Sequence, residues 1–170
     1  YLEWEAKEYS FNTHFIARAG ESNRKMPEFT VERALRVLAE AGVPVRGAKV
    51  LVLGVAYKRD IPDYRESPAI EVIRGLRRLG AEVEYHDPHV PRFAEGGLAM
   101  ESVPLSEERV REKDLVLIAT DHSAFDYKAI VAQARRVLDA RGATRHLPRE
   151  LTEGKVVLLG PASPSPDLRA

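Results

Sequence analysis

Apolar positions recur at helical spacing over residues 1–42, then shift at Val45 to short apolar runs separated by polar turns. In the first region Leu2, Ala6 and Tyr9 space as a short amphipathic helix that Ser10-Phe11-Asn12 interrupts. A second stretch from Thr13 places Phe15, Ile16 and Ala19 on one face. Pro27 interrupts it or opens its next segment, because proline is tolerated in a first helical turn and not further in. Phe29, Val31, Ala34, Leu35 and Leu38 continue the stripe, and Gly42 ends it.

From Val45 onward strands and helices alternate. Lys49–Ala56 is a continuous apolar run, as expected of a strand buried on both faces of a parallel sheet. Ser67-Pro68 reads as a cap followed by proline at the first helical position, with Ile70, Ile73, Leu76 and Leu79 buried and Gly80 as the stop. Glu82–His86 is the second strand, ended by Asp87-Pro88, and a short third strand is expected near Leu98–Val103. Ser106 caps a helix with an acidic first turn, and Asp114–Thr120 is the fourth strand. A helix over Phe125–Ala134, a fifth strand over Val137–Ala140 and a sixth over Lys155–Leu159 complete the pattern. The expectation is an α/β fold: a Rossmann-like, doubly wound parallel sheet of about six strands in the order 3-2-1-4-5-6, preceded by N-terminal helices. Ligands of such sheets bind beyond the carboxyl ends of the strands, which singles out the loops Tyr57–Ser67, Asp121–Phe125 and Arg141–Thr144.

Charge changes the picture by exclusion. Lys and Arg total 26, as do Asp and Glu, so the net charge is zero, which argues against a nucleic-acid binder or a membrane-surface protein. No run of eighteen apolar residues and no signal peptide is present, and the cysteine count is zero. Disulfides, zinc–thiolate sites and cysteine nucleophiles are thereby excluded from these residues, and an intracellular protein is the natural expectation.

The dinucleotide fingerprint is absent after the first strand. A G-x-G-x-x-G turn would let backbone approach a pyrophosphate, but this chain reads Gly54-Val55-Ala56-Tyr57-Lys58. The loop supplies charge instead. Lys58 and Arg59 leave the strand end and Arg65 precedes the Ser67 cap, so cations stand beside helix-start amides, as in a phosphate site. The alternative is that Lys58 or Arg65 pairs with Asp60, Asp63 or Glu66 in the same loop, which charge counting favours. Tyr57 either stacks on a base or plugs the strand end, the plug being favoured by composition. Asp121-His122-Ser123 is read as a helix cap by Asp121 or Ser123, because no nucleophile elbow accompanies it. His86-Asp87-Pro88-His89 lacks a third spaced metal ligand and is explained better by strand-ending turn chemistry. Arg141 reaches the same crevice as Lys58.

Together these residues carry a resemblance. The run LGVAYKRDIPDYRESPAIEVIRGLRRLGAEVEYHDPHVP (Leu53–Pro91) resembles the C-terminal domain of the UDP-glucose/GDP-mannose dehydrogenase family. DHSAFDY (Asp121–Tyr127) and LDARGATR (Leu138–Arg145) match later segments in order, and residues 1–28 resemble the segment leading into that domain. The HDP and DHSAFDY segments lean toward the branch that oxidises UDP-N-acetylhexosamines.

The resemblance implies an oxidoreductase that converts the C6 alcohol of a nucleotide sugar to a carboxylate with NAD, in the cytoplasm and in polysaccharide biosynthesis. It implies that Tyr57, Lys58 and Arg141 contact the UDP-sugar and that Arg65 reaches the NAD phosphates. The family's Rossmann NAD domain, its dimer-building central helix and its nucleophilic cysteine have no counterpart among these residues. The expectation is therefore a C-terminal piece of such an enzyme, inactive alone, whose partners are the UDP-sugar and the missing N-terminal NAD domain within a homo-oligomer. Residues 1–44 form the linking helical segment, 45–160 the UDP-sugar-binding domain and 161–170 a flexible tail. The alternative is a stand-alone nucleotide-sugar-binding or interaction module without catalysis.

Overall fold

The computed structural model describes residues 25–160. The helices expected around Leu2–Tyr9 and Thr13–Ala19, and the tail 161–170, lie outside the described residues. Helix α1 runs through residues 25–40 with Pro27 inside it, and Gly42 at φ +71° turns the chain away. Its inward face is Thr30, Ala34, Val37 and Leu38, rotated from the expected stripe so that Phe29 is left exposed. The Thr30 hydroxyl caps its own burial by donating to the Met26 carbonyl at 2.8 Å.

Strand β1 (Lys49–Leu53) is followed by α2 (Pro68–Arg78), β2 (Glu82–His86), β3 (Arg92–Glu95), β4 (Leu98–Glu101), α3 (Glu107–Glu112), β5 (Leu115–Ile118), α4 (Tyr127–Gln133), β6 (Val137–Asp139), α5 (Arg149–Thr152) and β7 (Val156–Leu158). Five strands form one parallel sheet in the order β2-β1-β5-β6-β7. Strand alternation divides its core between two faces. Val50, Val52, Leu115 and Leu117 pack with Ala34, Leu38, Ile70, Ile73 and Leu76 on one side. Leu51, Leu53, Val116 and Ile118 pack with Val110, Ile130 and Val131 on the other. The sheet is thus wound on both faces, as the uninterrupted apolar runs of its strands β1 and β5 require.

One expected strand leaves the sheet. The segment near Leu98 pairs antiparallel with β3 in a separate hairpin, and β2 becomes the sheet's edge. The cause is local: Gly96-Gly97, at φ +56° and +80°, forms the two-residue turn that favours a tight hairpin over a crossover. Arg74 fastens that hairpin to α2 by donating to the carbonyls of Gly96 at 2.8 Å and Glu95 at 3.0 Å. Two caps also differ from expectation. Helix α4 is capped by Asp126, whose carboxylate accepts the Ala129 amide at 3.0 Å, rather than by Asp121 or Ser123. Leu79, expected inside, is the exposed C-cap of α2.

Strand β1 stops at Leu53, short of the expected Ala56, because Gly54 turns to φ +84°. A Cβ there would lie 2.5 Å from Thr120 Cβ and 2.6 Å from the Thr120 carbonyl oxygen. The single glycine surviving from the dinucleotide pattern therefore serves the close approach of β1 to the end of β5. Gly54→Ala is expected to destabilise the chain by about 2–3 kcal/mol, through left-handed strain and overpacking together, as read from chemical denaturation.

Candidate functional site

Two buried aspartates build the loops at the carboxyl end of the sheet. Asp87, directly after β2, accepts the amides of Val55 at 2.7 Å and Ala56 at 2.9 Å on one oxygen, and those of His89 at 2.8 Å and Val90 at 3.1 Å on the other. The His122 Nε2 lies 2.9 Å from the first oxygen. Burial alone would push this carboxyl up, but the amide donors and His122 outweigh it and hold it below the ordinary range. Asp139, ending β6, does the same for the next loop. It accepts the amides of Arg141 at 3.0 Å, Gly142 at 2.8 Å and Thr144 at 2.8 Å, and the Thr144 hydroxyl at 2.6 Å. Sequence reading recognised turn chemistry at Asp87-Pro88 and missed Asp139, although a carboxylate closing an apolar strand before Arg-Gly-Ala-Thr was the available signal.

These loops place Tyr57, Lys58 and Arg141 around one cleft of about 830 Å³, together with Ser67 and Pro68 at the start of α2 and with Glu66, Glu71 and Glu95. A smaller apolar recess of about 290 Å³, lined by Ala56, Ala69, Val72, Ala119 and Leu159 among others, shares Tyr57, Ser67 and Arg141 with it. Tyr57 is 50% exposed, so it does not plug the strand end. The Lys58 ammonium stands 5.8 Å from the Tyr57 ring centroid, within cation–π range, and makes no ion pair with a carboxylate among the described residues. Arg141 is half exposed and keeps its Nε 3.3 Å from Asp121. Ser67 caps α2, accepting the Ala69 amide at 3.3 Å, which leaves the positive end of an eleven-residue helix at the cleft wall.

Arg65 is placed differently. It stands 82% exposed beyond the lining of this cleft, with its guanidinium forked on Asp63 at 3.0 and 2.9 Å, and that fork holds the Asp63 carboxyl at about 2. Arg59 pairs with Asp60 at 3.5 Å. Of the loop's cations, Lys58 alone escapes the pairing with loop carboxylates that charge counting allowed. Asp60 and Glu66 hold positive φ of 59° and 60°, costly for side chains other than glycine, within the same loop.

His122 lies fully buried at the floor of the loop. Its Nδ1 accepts the Asp60 amide at 2.9 Å, so Nε2 carries the proton and donates to Asp87. Asp60, His89 and His122 cluster closely enough to hold a metal ion, but the His122 lone pair is already occupied by that amide. The geometry is a structural network. A second cleft of about 870 Å³ lies along the amino-terminal half of β2, where Glu84 pairs with Lys113 at 2.6 Å and Arg109 at 2.9 Å. It sits at the wrong end of the strands for a ligand site of this topology.

The description of the UDP-glucose/GDP-mannose dehydrogenase family, UDP binding domain, matches residues 51–146, which is more than half of the chain. The chain belongs to this family. Among curated relatives, UDP-N-acetyl-D-mannosamine dehydrogenase of Methanococcus maripaludis (strain C7) is 34% identical over 124 residues, covering 72% of this chain and 27% of that protein. UDP-N-acetyl-D-glucosamine 6-dehydrogenase of Salmonella typhi is 26% identical over 128 residues, covering 74% of this chain and 29% of that protein. The solved structure of UDP-D-ManNAc dehydrogenase from Pyrococcus horikoshii superposes with a TM-score of 0.64 at 25% identity, over 80% of this chain and 31% of that one. The similarity thus falls on the family's UDP-binding domain and on its N-acetylhexosamine branch, and the chain spans under a third of the length of these relatives. No helix among the described residues is long and apolar enough to cross a membrane.

Proposed function

We propose that the cleft carrying Tyr57, Lys58 and Arg141 binds the nucleotide diphosphate of a UDP-sugar, as the substrate-holding domain of an NAD-dependent nucleotide-sugar 6-dehydrogenase. The observation that carries this is the convergence of an exposed aromatic ring, a lysine without a carboxylate partner among the described residues and a helix start on one cleft at the carboxyl end of the sheet. Lys58 and the α2 amides suit phosphate oxygens, the Tyr57 ring suits a base or sugar face, and Arg141 adds a second cation. Glu66, Glu71 and Glu95 repel further phosphate but accept hydroxyl hydrogens, which favours a ribose or hexose on that side.

Residues 45–160 act as the binding unit, and residues 1–44 link it to the part of the enzyme that holds NAD. That dinucleotide does not fit the turn after β1. The acid at the end of β2, which would read a ribose in a nicotinamide-binding sheet, is filled by the chain's own amides, and Gly54 is closed by Thr120. Arg65, turned outward, is the residue of this chain proposed to reach the NAD phosphates from across a domain boundary. The whole enzyme is read as a cytoplasmic homo-oligomer in polysaccharide biosynthesis, acting on a UDP-N-acetylhexosamine.

Calorimetry separates these roles. The 170-residue chain is expected to bind UDP saturably, to show no comparable affinity for NAD⁺, and to form no NADH from any UDP-sugar, since it offers neither a thiolate nor a dinucleotide turn. Tighter binding of NAD⁺ than of UDP, or NADH formation by the pure chain, would refute the assignment.

A further inference from the structure

We propose that His122 is a positioning residue for Lys58, acting through its Nδ1 atom on the loop that presents the lysine to a nucleotide. The inference rests on the reading of the cleft given above. The chain is pinned on both sides of Tyr57-Lys58-Arg59. Before it, Val55 and Ala56 donate to Asp87, and the Ala56 carbonyl accepts the Thr120 hydroxyl at 2.8 Å. After it, the Asp60 amide donates to His122 Nδ1, while the Asp60 carboxylate accepts the Ser123 amide at 2.9 Å. The Tyr57 amide closes the loop on the Asp63 carbonyl at 2.7 Å.

Both pins meet in one buried pair, because the imidazole that holds Asp60 also donates to the carboxylate that holds Val55 and Ala56. The ring packs edge-to-face with Phe125, centroids 5.6 Å apart, and the Tyr127 hydroxyl holds the His122 backbone by donating to its carbonyl at 3.0 Å. Its two nitrogens do different work. Nε2–H completes the donors around Asp87 and serves stability. Nδ1 is the acceptor that keeps Asp60 at positive φ and so sets the path of the preceding residues. Lys58 lies two residues from that point, with its ammonium over Tyr57.

Two amide variants divide the ring's functions. His122→Asn places an acceptor where Nδ1 stands and loses the donor to Asp87. His122→Gln reaches Asp87 and leaves the Asp60 amide without its acceptor. In the ¹⁵N-labelled 170-residue chain, the His122 nitrogen shifts are expected to report Nδ1 as the acceptor and Nε2 as the donor. His122→Gln is expected to speed exchange of the Asp60 amide and weaken UDP binding, each about tenfold, as loss of one directional hydrogen bond implies, while His122→Asn keeps both within about threefold. Melting temperatures fall in both variants, so stability alone does not reproduce that split. Equal losses of UDP affinity that track the melting temperature, or unchanged Asp60 exchange in His122→Gln, would overturn the proposal. If the unmodified chain binds no UDP, the cleft reading fails, and Asp60 exchange still decides whether His122 sets the loop.

Discussion

Asp87→Ala is expected to destabilise the chain by about 3–5 kcal/mol, because several donors lose their acceptor at once and each buried one left unsatisfied costs about 1–3 kcal/mol. The substitution strips acceptors from the amides of Val55, Ala56, His89 and Val90 and from the His122 ring at once, all in the interior or at its margin. Asp87→Asn keeps the shape and one acceptor oxygen, and should lose roughly half as much. The acid limb of stability carries the same signature. The folded carboxyl titrates below its unfolded value, so the unfolded chain binds more protons in that interval. The contribution is fully present above the unfolded carboxyl's titration near about pH 4, and is lost as pH falls toward the lower native value. Asp60, Asp63 and Glu84 are lowered as well, so the Asp87 share is the difference between the denaturation curves of the parent and of Asp87→Asn. Parallel curves from pH 7 to pH 3 would show that Asp87 does not anchor the strand ends.

The second large effect is on binding. Lys58→Ala is expected to weaken UDP by roughly ten- to a hundred-fold, the equivalent of one charge-assisted hydrogen bond of about 1.5–3 kcal/mol. Its cost to stability should be near zero, because Lys58 is exposed and pairs with no carboxylate among the described residues. Arg141→Ala should weaken UDP less, since part of that guanidinium's charge is engaged by Asp121. Arg65→Ala should leave UDP affinity unchanged in this chain. In the complete enzyme it should raise the KM for NAD⁺. Equal losses from Lys58→Ala and Arg65→Ala, measured by calorimetry, would mean that general loop charge and not position governs binding.

The centre of the sheet was legible because β1 and β5 are buried on both faces: VLVL and LVLI have no polar position to misplace, and Ser67-Pro68 announces a helix start without tertiary help. The hairpin was less legible, since Leu98–Glu101 looks like any short strand, and its partner Arg92–Glu95 carries charge at both ends. The Gly96-Gly97 turn between them was the available signal. Tyr57, Lys58 and Arg141 were drawn together by topology alone, from loops more than eighty residues apart in sequence, and one cleft holds them. What sequence could not supply was the partner of each side chain. Arg65 and Lys58 read alike as loop cations, yet the first is forked on Asp63 and the second is not, because only Arg65 lies two residues beyond that carboxylate on a turn. His122 reads as one polar residue in a DHS triplet. Its burial depends on Asp87 and Asp60 arriving from 35 and 62 residues away.

Titration of UDP into the ¹⁵N-labelled chain, followed amide by amide, tests the central assignment most directly. The account predicts saturable shifts concentrated at Tyr57–Arg59, at Ser67 and Ala69 at the start of α2, and at Arg141–Thr144. Saturable shifts confined to the cleft beside β2, around Arg77, Arg109 and Lys113, or no saturable shift at all, would contradict it.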